Sequence, residues 1–135
     1  MVCTMKKLKF GSIEILGCIG VIVWVAVIIL RVSPLPNNSV ILFLIGILPN
    51  LGAAWATTMF GKWIIVFVCK QNYSIKKHCI LCAGIFAISL VSEFINDLFF
   101  ASPFDFNDIL VTIAAQFVIF LSPIVFKDKY FKNYD

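Results

Sequence analysis

Four long apolar segments, separated by short polar or proline-containing stretches, make up most of the chain. The first two run from about Gly11 to Val32 and from Ser39 to Cys69, with a proline-rich turn at residues 33–38 between them. The third and fourth run from about Cys79 to Ala101 and from Phe106 to Phe126, joined by a short turn. A bilayer-spanning helix needs roughly 20 apolar residues. The pattern therefore predicts four transmembrane helices, the last two being antiparallel neighbours.

The second apolar segment is too long for one helix perpendicular to the membrane. At 1.5 Å per residue it would extend roughly 45 Å against a hydrocarbon core of about 30 Å. Pro49 removes a backbone hydrogen bond, and the Asn50 amide beside it is suited to the freed position. We therefore expect the second helix to be broken or tilted near Pro49-Asn50. It then spans either from Ser39 to about Lys62 or from about Pro49 to Cys69.

Small residues are found at several positions in the first two segments. Gly17 and Gly20 lie in the first, and Gly52 begins an alanine-rich stretch in the second. Small side chains let helix backbones approach closely in membranes. We expect close helix packing at these positions.

Composition agrees with a membrane-embedded chain. Of the 135 residues, 61% are hydrophobic and 13% charged, with a mean hydropathy of +1.02. Soluble domains average about 45–50% apolar and about 25% charged residues. The predicted fold is an all-α antiparallel bundle of four transmembrane helices forming a single domain over residues 1–135. This size excludes a separate Rossmann, P-loop or nucleic-acid-binding domain, and no cofactor is predicted.

The basic residues predict the orientation. The net charge is +4, and most lysines fall before the first apolar segment, between the second and third, and after the fourth. Since lysine-rich loops face the cytoplasm, both termini and the middle loop are predicted inside, with no nucleic-acid partner. These lysines are Lys6, Lys7, Lys9, Lys70, Lys76, Lys77, Lys127, Lys129 and Lys132.

Four residues around the middle loop are the candidates for metal ligation. His78, Cys79 and Cys82 resemble half of a metal site, and Cys69 across the loop is a further thiol. However, cysteines three residues apart also simply share one face of a helix, and the chain has no second CxxC pair. We therefore predict reduced thiols and no bound metal.

Polar residues within the third and fourth segments are the most informative, since intramembrane carboxylates are costly and mark functional sites. Glu93 and Asp97 are four residues apart and share a helix face, which Asn96 extends. Asp108 and Thr112 begin a second stripe on the fourth segment. These stripes, with Asn50 and with Arg31 or Lys62 as counter-charge, predict an outward-facing acidic pocket. Its predicted ligand-binding residues are Asn50, Glu93, Asn96, Asp97, Asp105, Asp108, Thr112 and Gln116.

Structural roles are alternatives for some of these residues. Asp105 and Asp108 are placed to cap the start of the fourth helix, where a carboxylate accepts free backbone N–H groups. Asp97 is placed to reach the outer interface, and Gln116 to hydrogen-bond between helices.

Two stretches resemble the VanZ-like family. Residues 93–96 read Glu-Phe-Ile-Asn, and residues 104–110 read Phe-Asp-Phe-Asn-Asp-Ile-Leu, followed by Thr112. They are similar to that family's glutamate, its later polar residue and the FDxxD-type segment opening its last helix. Pro49-Asn50-Leu51 is similar to its second span. The family usually has glutamine in place of Asn96, a basic residue near Ser102, and a glycine where Ala114 and Ala115 stand here.

The resemblance implies a small multi-pass protein of the bacterial inner membrane, of the type linked to teicoplanin resistance. Its implied partners are the lipid bilayer and a lipid head group, wall precursor or glycopeptide bound in the acidic pocket. The alternatives are an accessory or immunity subunit of a larger membrane complex, a homo-oligomer, or a small proton- or cation-coupled transporter. An enzyme is less favoured, because the chain has no HExxH or GxSxG motif.

Overall fold

A computed structural model of the protein describes residues 10–34, 38–100 and 105–128. These residues form four helices: α1 (Ser12–Val32), α2 (Ser39–Trp63), α3 (Ile75–Phe100) and α4 (Phe106–Val125). A five-residue π-helix, Ile64–Val68, continues α2. Each of the four segments is long and apolar enough to cross a membrane. The chain is therefore a multi-pass membrane protein, and the predicted all-α four-helix bundle is confirmed.

The start of α1 and the end of α4 lie together. The backbone N–H and the hydroxyl of Ser12 donate to the Asp128 carboxylate at 2.9 and 2.8 Å. The same hydroxyl lies 3.1 Å from that of Ser122. We call this the terminal end of the bundle and the other the distal end. Residues 35–37 and 102–104 of the predicted turns, and Lys6, Lys7, Lys9, Lys129 and Lys132, lie outside the described residues.

Small residues pack α1 directly against α2, as the sequence predicts. A Cβ atom added to Gly20 would lie 2.6 Å from the Gly52 carbonyl oxygen and 2.9 Å from the Trp55 Cβ. A Cβ on Gly17 would collide with Met59. The two backbones therefore approach more closely than any larger side chain at these positions permits.

The buried core lies toward the terminal end. Its apolar members are Ile13, Met59, Tyr73, Cys82 and Ile119, which come from every helix and from the loop before α3. α3 is the least enclosed helix, since 11% of its most apolar stretch is buried against 33% for α4. Much of α3 therefore faces the surroundings of the bundle.

α2 is not broken at Pro49. The helix runs unbroken through this residue, so a tilt or an extension beyond the hydrocarbon core accommodates its length. Proline has no N–H, which deprives the Ile45 carbonyl of its usual partner four residues on. The Arg31 guanidinium donates to this carbonyl at 3.1 Å. The expectation that Asn50 fills the freed position is therefore wrong, because Arg31 reaches across from α1.

Candidate functional site

A cavity of about 270 Å³ lies between α2, α3 and α4 in the distal half of the bundle. We call it the acidic cavity. All three helices contribute residues to its wall. The lining residues are Asn50, Ala53, Ala54, Thr57, Ile85, Ile88, Ser89, Ser92, Glu93, Asp108, Ile109 and Thr112. Four of the eight residues predicted for the site, Asn50, Glu93, Asp108 and Thr112, thus come together from three helices.

Two carboxylates from different helices dominate the electrostatics of the acidic cavity. Glu93 of α3 and Asp108 of α4 are both half-buried and repel each other, since both are acidic. The Asn50 amide and, more weakly, the Arg31 guanidinium stabilise the negative charge of the Asp108 carboxylate. Arg31 is thus the basic residue on this side of the bundle, but its guanidinium donates to the Ile45 carbonyl and forms no ion pair with either carboxylate in the described residues. The carboxylates of Glu93 and Asp108 also give this part of the cavity more hydrogen-bond acceptors than donors.

Thr112 extends this polar surface toward the middle of the bundle. Its side chain is buried, and its hydroxyl donates to the backbone carbonyl of Asp108 at 2.8 Å. The donated hydrogen is therefore used within the helix, and the oxygen keeps its acceptor capacity.

Three of the other predicted residues do not line the cavity. Asp105 is exposed and caps α4, accepting the backbone N–H of Asn107 at 2.8 Å, as the capping alternative predicts. Asp97 is exposed, and Asn96 is half-buried outside the cavity wall. Asn96 shares the lining face of α3 with Ser89 and Ser92 but lies one turn beyond them, past the distal end of the cavity, whereas Asp97 lies at the side of that face.

Gln116 lies one turn beyond Thr112, closer to the terminal end. Its side chain is 7% exposed, and neither its amide nitrogen nor its amide oxygen has a hydrogen-bond partner within the described chain. No interhelical hydrogen bond from Gln116 is seen there. The polar stripe of α4 thus continues past the cavity into the bundle interior.

The metal-ligand candidates separate in the structure. Cys69 and Cys79 are exposed, while Cys82 is buried with its sulfur 3.9 Å from Nε2 of His78. Within the described ranges, no three side chains of His, Cys, Asp or Glu approach closely enough to hold a metal ion. His78 is instead committed to other contacts.

A buried ion pair at the terminal end was not among the predicted features. Glu14 of α1 is fully buried and pairs with Lys62 of α2, which is almost as buried. The second oxygen of Glu14 accepts the backbone N–H of Gly11 at 2.9 Å, at the start of α1. Lys62 therefore does not serve the acidic cavity as a counter-charge, contrary to one of the two expectations, because its partner lies at the opposite end.

His78 connects this ion pair to α4. The Tyr73 hydroxyl lies 2.7 Å from His78 Nδ1, and His78 Nε2 lies 3.2 Å from the Ile119 carbonyl oxygen. The Lys62 ammonium lies over the Tyr73 ring, 5.6 Å from its centroid. Burial raises the pKa of Tyr73 well above its ordinary value, so the phenol stays protonated and donates to Nδ1. This arrangement places the imidazole hydrogen on Nε2, where it donates to Ile119.

The sequence contained a signal for the ion pair. No aspartate or glutamate occurs between Glu14 and Glu93, so the acidic candidates for Lys62 on the terminal side are Glu14 and the aspartates that follow the fourth apolar segment. A cation inside a membrane segment needs such a partner. Glu14 also stands in the first turn of its helix, where a carboxylate is favourable. The sequence prediction considered Lys62 only as a partner for the carboxylates of the third and fourth segments, and so missed its pairing with Glu14.

The lining of the acidic cavity suits binding more than nucleophilic chemistry. It carries carboxylates, hydroxyls and an amide, whereas none of its lining residues is a histidine, cysteine or lysine. Carboxylates and hydroxyls accept hydrogen bonds from ammonium groups and hydroxyl groups. No family model, no curated protein and no solved structure matches this chain.

Proposed function

We propose that this chain is a VanZ-like protein of the bacterial cytoplasmic membrane whose acidic cavity binds the polar group of a cell-envelope amphiphile. The ligand class comprises lipid head groups, lipid-linked wall precursors and glycopeptides. The observation that supports this proposal is the convergence of Asn50, Glu93 and Asp108 from three helices on one cavity. Intramembrane carboxylates placed together in this way are functional-site candidates.

The two kinds of surface in the cavity correspond to the two parts of an amphiphile. Glu93 and Asp108 offer acceptors for an ammonium group or for sugar hydroxyls. Ile85, Ile88 and Ile109 supply an apolar wall for the attached hydrocarbon. Binding sites for small molecules commonly combine an apolar lining with a few orienting polar groups. A ligand with a positively charged or hydroxyl-rich polar group is therefore favoured over an anionic one.

Orientation in the membrane gives this site access to the outer leaflet. Lys70, Lys76 and Lys77 lie at the terminal end, next to the start of α3, and lysine-rich loops face the cytoplasm. The acidic cavity lies in the other half of the bundle. With the terminal end inside, the cavity opens where wall precursors and glycopeptides are found.

Glycopeptide susceptibility tests this proposal. Wild type, Glu93→Gln and Asp108→Asn are produced at matched membrane levels in a teicoplanin-sensitive bacterium, with Asp97→Asn as the control outside the cavity. We expect wild type and Asp97→Asn to raise the inhibitory concentration, and the two cavity variants to lose that protection. No protection by wild type, or equal protection by all four, would remove the VanZ-like role of the cavity.

The exposed face of α3 favours a second function, that of an accessory subunit. Phe94, Leu98 and Phe99 are 58%, 75% and 77% exposed, next to the distal end of the cavity. A larger membrane protein that covers this face would contact these three apolar side chains. A partner that co-purifies with wild type but not with a Leu98→Ser/Phe99→Ser variant would support this function. Purification of wild type as a monomer with no associated protein would count against it.

A further inference from the structure

A second cavity, of about 350 Å³, lies between the end of α2 and the first half of α3. We call it the apolar groove. Ile65 of the π-helix lines it on one side, and Leu81 and Gly84 of α3 line it on the other. Gln71 and Lys77 close it at the terminal end. The groove is thus apolar along its length and polar at one end, at the level where the predicted cytoplasmic loop begins.

The dimensions of the apolar groove match one leaflet. From Lys77 to Ile88, both of which line it, α3 advances about 16 Å at 1.5 Å per residue. The hydrocarbon of one leaflet is about 15 Å deep, half of the roughly 30 Å core. A groove of this length accommodates one acyl chain from its ester end to its methyl end.

The charged residues nearest the polar end along the chain are all lysines. Lys70 and Lys76 stand beside Lys77, and residues 15–92 contain no aspartate or glutamate. Lys77 donates to the Asn72 carbonyl at 2.8 Å, which holds its ammonium at the mouth of the groove. An ammonium has three donors. An anionic group at this mouth therefore meets the Lys77 ammonium, while Glu14 at the same end of the bundle is already paired with Lys62.

We propose that the apolar groove binds an anionic glycerophospholipid of the leaflet at the terminal end. The phosphate lies at Lys77 and Gln71, and one acyl chain runs past Leu81 and Gly84 toward Ile88. Juxtamembrane lysines attract anionic lipid head groups. A second copy of this chain fits the charge less well, because the chain itself carries a net charge of +4. This inference is independent of the function of the acidic cavity.

The inner end of the acidic cavity adjoins this site. Ile85 and Ile88 line both the acidic cavity and the apolar groove, so the methyl end of the acyl chain lies beneath Glu93. The lipid therefore supplies part of the floor on which a ligand in the acidic cavity rests.

Gly84 allows the groove to be filled without disturbing the helix. A Cβ atom added there meets no neighbouring atom within 4 Å. The backbone at Gly84 therefore accepts a side chain without a clash at Cβ, and Gly84→Leu directs that side chain into the space assigned to the acyl chain. Gly46 on α2 is equally open and lies outside the groove. Gly46→Leu is the matched control for the added side chain.

Native mass spectrometry of the purified full chain, delipidated in detergent and titrated with phosphatidylglycerol or phosphatidylcholine, tests the assignment. We expect wild type and Gly46→Leu to bind one phosphatidylglycerol at least 5-fold more tightly than phosphatidylcholine. Gly84→Leu is expected to weaken phosphatidylglycerol binding at least 5-fold. Lys77→Gln should remove the preference for the anionic lipid, while Lys70→Gln, outside the groove, should retain most of it. Thermal unfolding in the same detergent verifies that the variants are folded.

Several results would overturn the proposal. Equal binding of the two lipids by wild type would show that Lys77 does not select an anionic head group. Unchanged phosphatidylglycerol binding by Gly84→Leu would place the lipid elsewhere. A dimer whose formation is abolished by Gly84→Leu, without bound lipid in wild type, would assign the groove to a second copy of the chain.

Discussion

Lys62 of α2 and Glu14 of α1 form an ion pair in which the side chains are 4% and 0% exposed. A charge buried without a partner is expensive, whereas a buried pair is tolerated when further hydrogen bonds satisfy it. Glu14 also accepts the Gly11 N–H. The pair therefore sets the register of α1 against α2 at the terminal end, where the glycine contacts bring the two backbones together.

Removing one member of this pair should destabilise the bundle strongly. Lys62→Met and Glu14→Gln each leave an uncompensated polar or charged partner in the interior, at a cost of about 3–5 kcal/mol. The double variant should recover part of this loss, because neither charge is then left alone. Thermal or denaturant unfolding in detergent provides the comparison, with Lys70→Met as the exposed control. Additive effects of the two single substitutions would contradict the pairing.

Tyr73→Phe tests the link between the loop and α4. The substitution removes the hydroxyl that donates to His78 Nδ1 and leaves a buried acceptor without that donor. We expect a loss of about 1–3 kcal/mol in the free energy of unfolding. Unchanged stability across the neutral range would mean that His78 is held by other contacts.

The same variant predicts a pH dependence with a defined sign. Burial raises the pKa of Tyr73 in the folded state above its ordinary value of 10.0. Above about pH 10 the unfolded chain releases the phenolic proton while the folded chain keeps it, so this contribution falls as the pH rises. The stability difference between wild type and Tyr73→Phe should be constant to about pH 9 and shrink above pH 10. A difference that grows at high pH would contradict the buried, protonated phenol.

Arg31 and Pro49 should show thermodynamic coupling. Arg31 donates to the Ile45 carbonyl that Pro49 leaves without a backbone donor. Pro49→Ala restores the missing N–H, so Arg31→Gln should cost less in that background than in wild type. We expect a coupling of about 1 kcal/mol in a double-mutant cycle measured by unfolding in detergent. Independent effects would show that the arginine does not compensate for the proline.

Close packing of α1 on α2 predicts opposite outcomes for two glycines. Gly20→Ala places a Cβ atom 2.6 Å from the Gly52 carbonyl oxygen, so the helices must separate. We expect a loss of about 1–3 kcal/mol from this overpacking. Gly46→Ala, where the added atom meets nothing within 4 Å, should leave stability unchanged or slightly raised. Equal unfolding temperatures for the two variants would contradict the observed helix contact.

The features that the sequence predicted correctly are those governed by local composition. Helix bounds follow from apolar length and from breakers such as Pro34, and α1 begins and ends within a residue of the prediction. The start of α3 is the exception, because the helix begins at Ile75, four residues before the predicted Cys79. The meeting of Glu93 with Asp108 follows from helical spacing and a short connection. These inferences need no knowledge of side-chain packing.

Features that depend on three-dimensional packing were not predicted. Where the cavity ends along α3 decides that Ser92 lines it while Asn96, one turn further on the same face, does not, and no local sequence pattern gives that limit. Hydrogen-bond partners that are far apart in the sequence were not predicted either. Arg31 takes the position expected for Asn50 because α1 packs against α2, and His78 reaches α4 through a backbone carbonyl that carries no sequence signal.

Equilibrium binding to the acidic cavity tests the central claim most directly. The full chain is reconstituted in nanodiscs, and teicoplanin and a lipid-linked wall precursor are titrated separately against wild type, Glu93→Gln, Asp108→Asn and Asp97→Asn. The account predicts saturable binding of at least one probe by wild type and Asp97→Asn, weakened at least 10-fold in both cavity variants. Binding of neither probe, or equal binding by all four proteins, would contradict it.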